Sequence, residues 1–229
     1  MSFSVIIPSR TDANLEACVM AIREAGETCR IIVVDDGLTC KRADCEYIQG
    51  EKPFIYARNM NLGIAAAGQD DVILLNDDAV LETQHGFTDM AFVAAKHPEI
   101  GVVSAACNNV GNINQLPKGI GLRLDMRMVC FVAVLIKRST IKLIGGLDEI
   151  FIGYGCEDDA YCLETRLAGL QVGIYDFCFV NHALLTSTFR GGATDAGDFK
   201  PNLRRFIQKY KYDNRGLPKE LSPWKELFV

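Results

Sequence analysis

The sequence predicts an α/β fold: one Rossmann-like domain with a mostly parallel central sheet and helices on both of its faces. Short apolar runs alternate with stretches of helical periodicity along the chain, as in proteins built on parallel sheets. No internal repeat or linker divides the 229 residues, which are enough for a substantial core. A hydrophobic content of 49% and a charged content of 23% are ordinary for this class of protein.

The first half of the chain supplies four of the predicted strands. Apolar runs place them at residues 3–8, 30–34, 72–75 and 100–105. Between the first two, Leu15, Val19 and Ile22 recur at helical spacing, and Gly26 stops the helix. The alanine-rich stretch 56–68 predicts a second helix.

The second half starts with a loop rich in Asn and Gly at 108–121, and the apolar run 129–136 predicts a strand after it. A short helix then ends at Gly145-Gly146. The remaining predicted elements are a helix at 157–168, a strand at 171–175 and a final helix with an apolar stripe from Phe199 to Tyr210.

Composition excludes several classes of function. A net charge of -5 gives no general attraction to nucleic acid. No apolar run approaches the roughly 20 residues of a membrane span, and the first residues lack the pattern of a signal peptide. The nine cysteines are an odd number, lie mostly in apolar segments and include no C-x-x-C pair, so we expect reduced thiols in a cytoplasmic protein.

Paired acids follow two of the predicted strands, where open α/β sheets bind their ligands. Asp35-Asp36 comes after the second strand, and Asn76-Asp77-Asp78 comes after the third. Acids crowded there are costly unless a cation joins them, and a divalent cation bridging a diphosphate would do so. The sequence has no Walker-type loop and no G-x-G-x-x-G turn to bind phosphate instead. Either pair alone could simply make a turn.

The order of these motifs resembles that of the family 2 glycosyltransferases of the GT-A fold, especially rhamnosyltransferase-like members, over roughly residues 3–212. The matching segments are SVIIPSR, IIVVDDG, ARNMNLGIAAAG, LLNDDAVL and GGLDEIFIGYGCEDDAYCLETRLAGLQVGI. The resemblance implies transfer of a sugar from a UDP- or dTDP-type nucleotide sugar to an acceptor hydroxyl. Direct displacement with Asp158 as the base would invert the anomeric centre. The resemblance also implies Mn²⁺ or Mg²⁺ as cofactor.

The resemblance further implies a role for each matching residue. Asp158 would be the catalytic base, with Glu157 beside it, and the start of a helix would help to keep it ionised. Asp78 would bind the metal with His182, although a lone histidine could equally be a hydrogen-bonded structural residue. The nucleotide would contact Pro8, Ser9, Arg10, Asp35, Asp36, Arg58, Asn76 and Asp77.

The chain departs from the family pattern at Ala160, where an acid is usual, and near Phe131, where a glycine is often found. Tyr154 and Tyr161 are expected either to shape the acceptor pocket or to pack as aromatics. The stretch 186–197, with Arg190, would be either a lid over the donor or a surface loop.

The whole chain, 1–229, is expected to form a single domain. Residues 1–105 would bind the nucleotide, 106–195 the acceptor, and 196–229 would form a C-terminal helix and tail. We expect the tail to dock on the body or on a second copy in a homodimer, and peripheral contact with a membrane surface is a further alternative.

Two other functions stay open from the sequence. One is a non-catalytic module that binds nucleotide sugars or assists assembly. The other, on weaker grounds, is a sugar nucleotidyltransferase, which should carry a loop rich in glycine and lysine where this chain has Pro8-Ser9-Arg10.

Overall fold

The computed structural model describes residues 2–153, 155–182 and 199–228, so Tyr154 and the 186–197 stretch with Arg190 lie outside the described residues. The strands of this part are β1 (Phe3–Ser9), β2 (Arg30–Asp35), β3 (Glu46–Gln49), β4 (Asp71–Leu75), β5 (Val80–Leu81), β6 (Ile100–Cys107), β7 (Leu122–Arg123), β8 (Ala133–Ile136) and β9 (Gln171–Asn181). Its helices are α1 (Asp12–Glu24), α2 (Tyr56–Ala66), α3 (Gly86–Lys96), α4 (Arg138–Ile144), α5 (Glu157–Leu167) and α6 (Lys200–Tyr210). None of the described helices is long and apolar enough to cross a membrane.

The strands form one sheet in the order β3-β2-β1-β4-β8-β6-β9-β5, with β7 paired to β9. The predicted α/β class is confirmed. Parallel pairing, however, accounts for four of the eight strand pairings in the described residues. The reason is that β8 runs antiparallel between β4 and β6, so the sheet is parallel on one side of β8 and mixed on the other.

The predicted strand at 129–136 is shorter than expected, because only its last four residues form β8. The buried side chain of Gln115 forms hydrogen bonds with both the amide and the carbonyl of Cys130, where a neighbouring strand would otherwise pair. Its Oε1 accepts from the Cys130 amide at 2.7 Å, and its Nε2 donates to the Cys130 carbonyl at 2.9 Å. Gln115 also donates to Ser104 Oγ on β6, so one side chain ties the loop before β7 to the sheet.

The core lies on both faces of the sheet, as the alternation of side chains along a strand requires. Val5 and Ile7 of β1 pack on the side of α1 and α3, whereas Ile6 packs on the side of α2 and α5. The predicted helices on both faces are therefore confirmed. The sequence analysis did not predict the short strands β3, β5 and β7 or the 11-residue helix α3.

The C-terminal tail docks on the body of the protein, which confirms one of the two expectations for it. Trp224 meets Phe199 edge to face, with ring centroids 5.4 Å apart. Both rings flank a third apolar cluster that joins Leu203 and Phe206 of α6 to Cys156 and its neighbours at the start of α5. The tail and α6 thus pack against the segment that carries the acidic motif.

The hydrogen bonds of Gln115 predict a stability effect. Replacing Gln115 with Leu leaves the buried amide and carbonyl of Cys130 without these partners, so we expect the free energy of unfolding to fall by about 1–3 kcal/mol. Denaturant unfolding measures it, with Asn114→Ala at the exposed neighbouring position as the control, expected within about 0.5 kcal/mol of the wild type. Equal stability of Gln115→Leu and the control would contradict this account of the loop.

Candidate active site

A cleft of about 1320 Å³ opens at the carboxyl ends of β1, β2 and β4, opposite the start of α5. It gathers most of the residues predicted for the site. Ten of the twelve line it: Pro8, Ser9, Arg10, Asp36, Asn76, Asp77, Asp78, Glu157, Asp158 and His182. The acids of the first half and the acidic helix of the second half therefore face one space.

Neighbouring strands bring the first group of polar residues together. Ser9, at the end of β1, donates a hydrogen bond of 2.6 Å to Asp77 Oδ2, just beyond the adjacent strand β4. Burial raises the pKa of Asp77 to about 6, the Ser9 hydrogen bond opposes that rise, and the charge of Asp78 adds to it. Val132, the residue just before β8, accepts a hydrogen bond of 2.9 Å at its carbonyl from the backbone amide of Asn76, and both residues line the cleft.

The two acids after β2 have different environments. Asp35 Oδ1 accepts hydrogen bonds of 2.8 Å from the amides of both Gly37 and Leu38, so it caps the turn and lies outside the cleft lining. Burial acts to raise the pKa of Asp35, but these bonds and Lys41 outweigh it, and the pKa is lowered.

Asp36 lines the cleft instead. Its buried Oδ1 has no hydrogen-bond partner, although Lys52 Nζ lies 3.5 Å away, outside good hydrogen-bond distance. A ligand donor at this oxygen would therefore satisfy an acceptor that the described residues leave open.

Arg58, also expected near the nucleotide, does not line the cleft. Its guanidinium pairs with Glu149 at 3.3 Å and with Glu51 at 3.6 Å. The adjacent Asn61 exchanges two hydrogen bonds of 2.8 Å with the backbone of Leu147. This part of α2 therefore anchors the segment that leads to α5.

Asp78 and His182 meet across the cleft. β5 pairs with the end of β9, which places His182 Nε2 3.1 Å from the buried Asp78 Oδ1. The other ring nitrogen, Nδ1, lies 3.2 Å from the Asn109 carbonyl oxygen. A neutral imidazole has one N–H and can satisfy only one of these two oxygens. An imidazolium would donate to both. With a neutral ring whose Nδ1–H donates to the Asn109 carbonyl, the Nε2 lone pair and the Asp78 carboxylate are placed to hold a divalent metal.

The metal site would be an open one. In residues 2–153, 155–182 and 199–228, no three His, Cys, Asp or Glu side chains converge on a point that could hold a metal ion. The carboxylate oxygen suits both Mn²⁺ and Mg²⁺, which commonly complete their shells with water and phosphate oxygens, and the imidazole nitrogen favours Mn²⁺ of the two.

The acids at the start of α5 form the other wall of the cleft. Burial raises the pKa of Asp158 to about 6, although hydrogen bonds from the backbone amides of Asp159 and Phe131 oppose the rise. Burial and the charge of Asp158 raise the pKa of Glu157 to about 8. Burial thus outweighs the helix N-terminus, which by itself favours the ionised form.

Several residues of the site were not predicted from the sequence. Asn214 and Arg215 of the tail line the cleft, and Asn214 Nδ2 lies 3.5 Å from the buried carboxylate of Asp159. Their position depends on how the tail docks, and no motif marks it. Tyr161 is buried with its hydroxyl on the Gly145 carbonyl and does not line the cleft, so it packs as an aromatic.

A sheet of this topology, with acids at the carboxyl ends of its strands and an acidic helix start opposite, defines the GT-A class of fold. Solved structures agree. The structure of GalNAc-T7 with UDP, GalNAc and Mn²⁺ has a TM-score of 0.70 at 12% identity, covering 91% of this chain and 47% of that one. TarS from S. aureus has a TM-score of 0.65 at 14% identity, covering 93% of this chain and 40% of that one. A mannosyltransferase from Pyrobaculum calidifontis with GDP-Man and Mn²⁺ has a TM-score of 0.64 at 16% identity, covering 81% of this chain and 58% of that one.

The family follows from the sequence itself. Residues 4–129, more than half of the chain, match the family model for Glycosyl transferase family 2, and the protein belongs to this family. The uncharacterized protein y4gI of Sinorhizobium fredii (strain NBRC 101917 / NGR234) is 27% identical over 208 residues, covering 72% of this chain. The chain spans 23% of the length of that relative.

The pKa values of the acidic helix start predict how stability depends on pH. An unfolded acid ionises near its ordinary pKa, whereas folded Glu157 keeps its proton up to about pH 8. Between these two pKa values the folded state binds more protons than the unfolded state. The free energy of unfolding therefore falls as the pH rises from about 5 to about 8. Glu157→Gln should reduce this fall, as measured by denaturant unfolding at both ends of the range.

Glu220→Gln, at an exposed position of the tail, is the matched control and should leave the slope unchanged. A Glu157→Gln variant with the same pH slope as the wild type would show that the Glu157 carboxyl is not desolvated in the folded protein.

Proposed function

We propose that this chain is an inverting, metal-assisted glycosyltransferase that moves a sugar from a UDP- or dTDP-type nucleotide sugar to an acceptor hydroxyl. One observation carries the proposal: the carboxylate of Asp158 and the Asp78–His182 pair line the same cleft. The first can take a proton and the second can hold a cation beside a diphosphate. Membership of glycosyl transferase family 2 supports the same reading.

The donor would lie at the ends of β1, β2 and β4. Asp36, with an open carboxylate oxygen, suits a hydroxyl or N–H donor of the ribose or base. Asp77 is held by Ser9 on the same side, where Pro8, Arg10 and Asn76 complete the wall. Two of the similar structures contain UDP or GDP-Man together with Mn²⁺, which agrees with a nucleotide donor and a divalent cation.

Mn²⁺ or Mg²⁺ would be held by Asp78 and His182. When bound, the cation stabilises negative charge on the leaving diphosphate. The Asn109 carbonyl orients the histidine by accepting from Nδ1–H, so that the Nε2 lone pair points toward Asp78. The protein thus supplies a prearranged pair of ligands.

Asp158 would act on the acceptor. The acceptor oxygen attacks the anomeric carbon, the bond from that carbon to the diphosphate oxygen breaks, and the hydroxyl proton passes to the Asp158 carboxylate. A single displacement of this kind inverts the anomeric centre. A pKa of about 6 leaves Asp158 ionised at neutral pH while keeping it basic enough to accept the proton.

The assignment of residues 1–105 to the donor and 106–195 to the acceptor is part of the proposal. So is a cytoplasmic location, which rests on the cysteine pattern of the sequence.

The metal pair gives one prediction. Asp78→Asn and His182→Gln should each weaken Mn²⁺ binding in the presence of UDP or dTDP by about 10-fold or more, because each removes or weakens one of two protein ligands. Calorimetric titration measures this, and Asp89→Asn, an exposed acid on α3, is the control. Unchanged Mn²⁺ affinity in both variants would place the metal elsewhere.

The proposed base, Asp158, gives another prediction. A panel of UDP, dTDP and GDP sugars is incubated with the protein, Mn²⁺ and candidate acceptors, and nucleotide diphosphate release is followed. Asp158→Asn should lower the transfer rate by about 100-fold or more while keeping the affinity for UDP or dTDP, because it removes the proton acceptor and little else. In the wild type, the rate should fall as the pH drops below about 6.

Asp89→Asn again serves as the control and should transfer at the wild-type rate. Metal-dependent nucleotide binding without any turnover would favour a non-catalytic binding module. Full activity of Asp158→Asn would assign the base to another residue.

A further inference from the structure

A buried asparagine of α6 contacts the turn that carries the acids. Asn202 is 1% exposed, and its Nδ2 donates a hydrogen bond of 2.9 Å to the carbonyl oxygen of Gly155. Gly155 and Cys156 directly precede Glu157 and Asp158, the first residues of α5. The contact therefore lies at the point from which the side chain of Asp158 is directed into the cleft.

The turn before α5 needs support from outside. Both of its residues have a left-handed backbone, with φ of 82° at Gly155 and 77° at Cys156. This conformation is disfavoured for a residue with a side chain, such as Cys156. The Cys156 side chain also makes no capping hydrogen bond to the helix. The direction of the first turn of α5 thus depends on contacts made by other elements.

The orientation of the Asn202 amide is fixed by its second contact. Arg205 Nη1 donates to Asn202 Oδ1 at 2.7 Å, so the oxygen of the amide faces Arg205 and the NH₂ group faces the Gly155 carbonyl. An aspartate at position 202 would keep the contact with Arg205 but would present an oxygen to the Gly155 carbonyl. One isosteric change therefore separates the two contacts.

The helix that carries Asn202 is itself firmly attached to α5. At the far end of α6, Lys209 Nζ lies 2.9 Å from Glu164 Oε1 of α5, and Tyr210 donates to the same carboxylate. Near its start, Leu203 and Phe206 pack in the cluster that contains Cys156 and Ala160. Ala160 is the position at which the family pattern has an acid, and here it joins α5 to α6.

We infer that Asn202 is a positioning residue for sugar transfer: its hydrogen bond to the Gly155 carbonyl holds the turn before α5 so that Asp158 faces the acceptor. The inference rests on the proposed function, because it assigns Asn202 a task in that reaction. Asn202 acts through Asp158 and does not line the cleft. The Gly155 bond therefore affects the step in which the proton moves and leaves donor binding intact.

The test compares Asn202→Asp with two variants of the same helix. Arg205→Gln removes the charged partner of Oδ1 and leaves the donor to Gly155, and Gln208→Ala changes an exposed position. For each variant we measure kcat and KM for transfer with the active donor, the affinity for UDP or dTDP with Mn²⁺, the pH profile of kcat and the midpoint of denaturant unfolding.

We expect Asn202→Asp to lower kcat by about 10-fold or more, to shift the acid limb of the pH profile, and to change the nucleotide affinity by less than about twofold. Arg205→Gln and Gln208→Ala should stay near the wild-type kcat. If Asn202→Asp does not fold, Asn202→Ala removes the side-chain donor without adding a charge and carries the same expectation.

Three results would overturn the inference. One is a kcat and pH profile of Asn202→Asp equal to those of the wild type. Another is a loss of kcat in folded Asn202→Asp that Arg205→Gln reproduces, which would assign the effect to the Arg205 contact. The last is a parallel loss of nucleotide affinity. In each of these cases the wild type still transfers sugar, whereas a wild type without turnover would contradict the proposed function as well.

Discussion

The carboxylates of Asp77, Asp78, Glu157 and Asp158 line one cleft, and the protein must offset the cost of burying them. Asp77, Glu157 and Asp158 all have a raised pKa, and burial is the largest cause for each of them. Acids so placed are held by hydrogen bonds from the protein, as Ser9 holds Asp77, or require a cation. Asp36 Oδ1, which has Lys52 at 3.5 Å but no hydrogen bond, and the Asp78–His182 pair mark where a ligand donor or a cation would meet these requirements.

The fold assembles this cleft from both halves of the sequence. The antiparallel strand β8 lies beside β4, so the residues before β8 border the acids that follow β4. Gln115 fixes that segment by bonding both backbone groups of Cys130. On the opposite wall, α6 and the tail pack against the start of α5. Each wall therefore depends on a contact between residues distant in sequence.

The apolar runs identified β1, β2, β4 and β6 because each is buried on both faces and reads as a continuous stretch. Only the first five residues of the longer β9 were predicted, because burial alternates along the rest of it. β5 and β7 have two residues each, too few for any periodicity to appear. Nothing in the sequence distinguishes Asp35 from its neighbour Asp36. In the structure the amides of Gly37 and Leu38 bond Asp35, which caps the turn, whereas Asp36 lines the cleft. Arg58 belongs to a segment that matches the family, but its ion-pair partners Glu51 and Glu149 lie outside the cleft lining.

A cation site and a single base in one cleft would carry out direct displacement. The proton NMR spectrum of the first product, formed from a donor of known anomeric configuration, distinguishes this mechanism from others. We expect a product with the opposite configuration, formed only with Mn²⁺ or Mg²⁺ present. Retention of configuration, or equal transfer in EDTA, would contradict this mechanism.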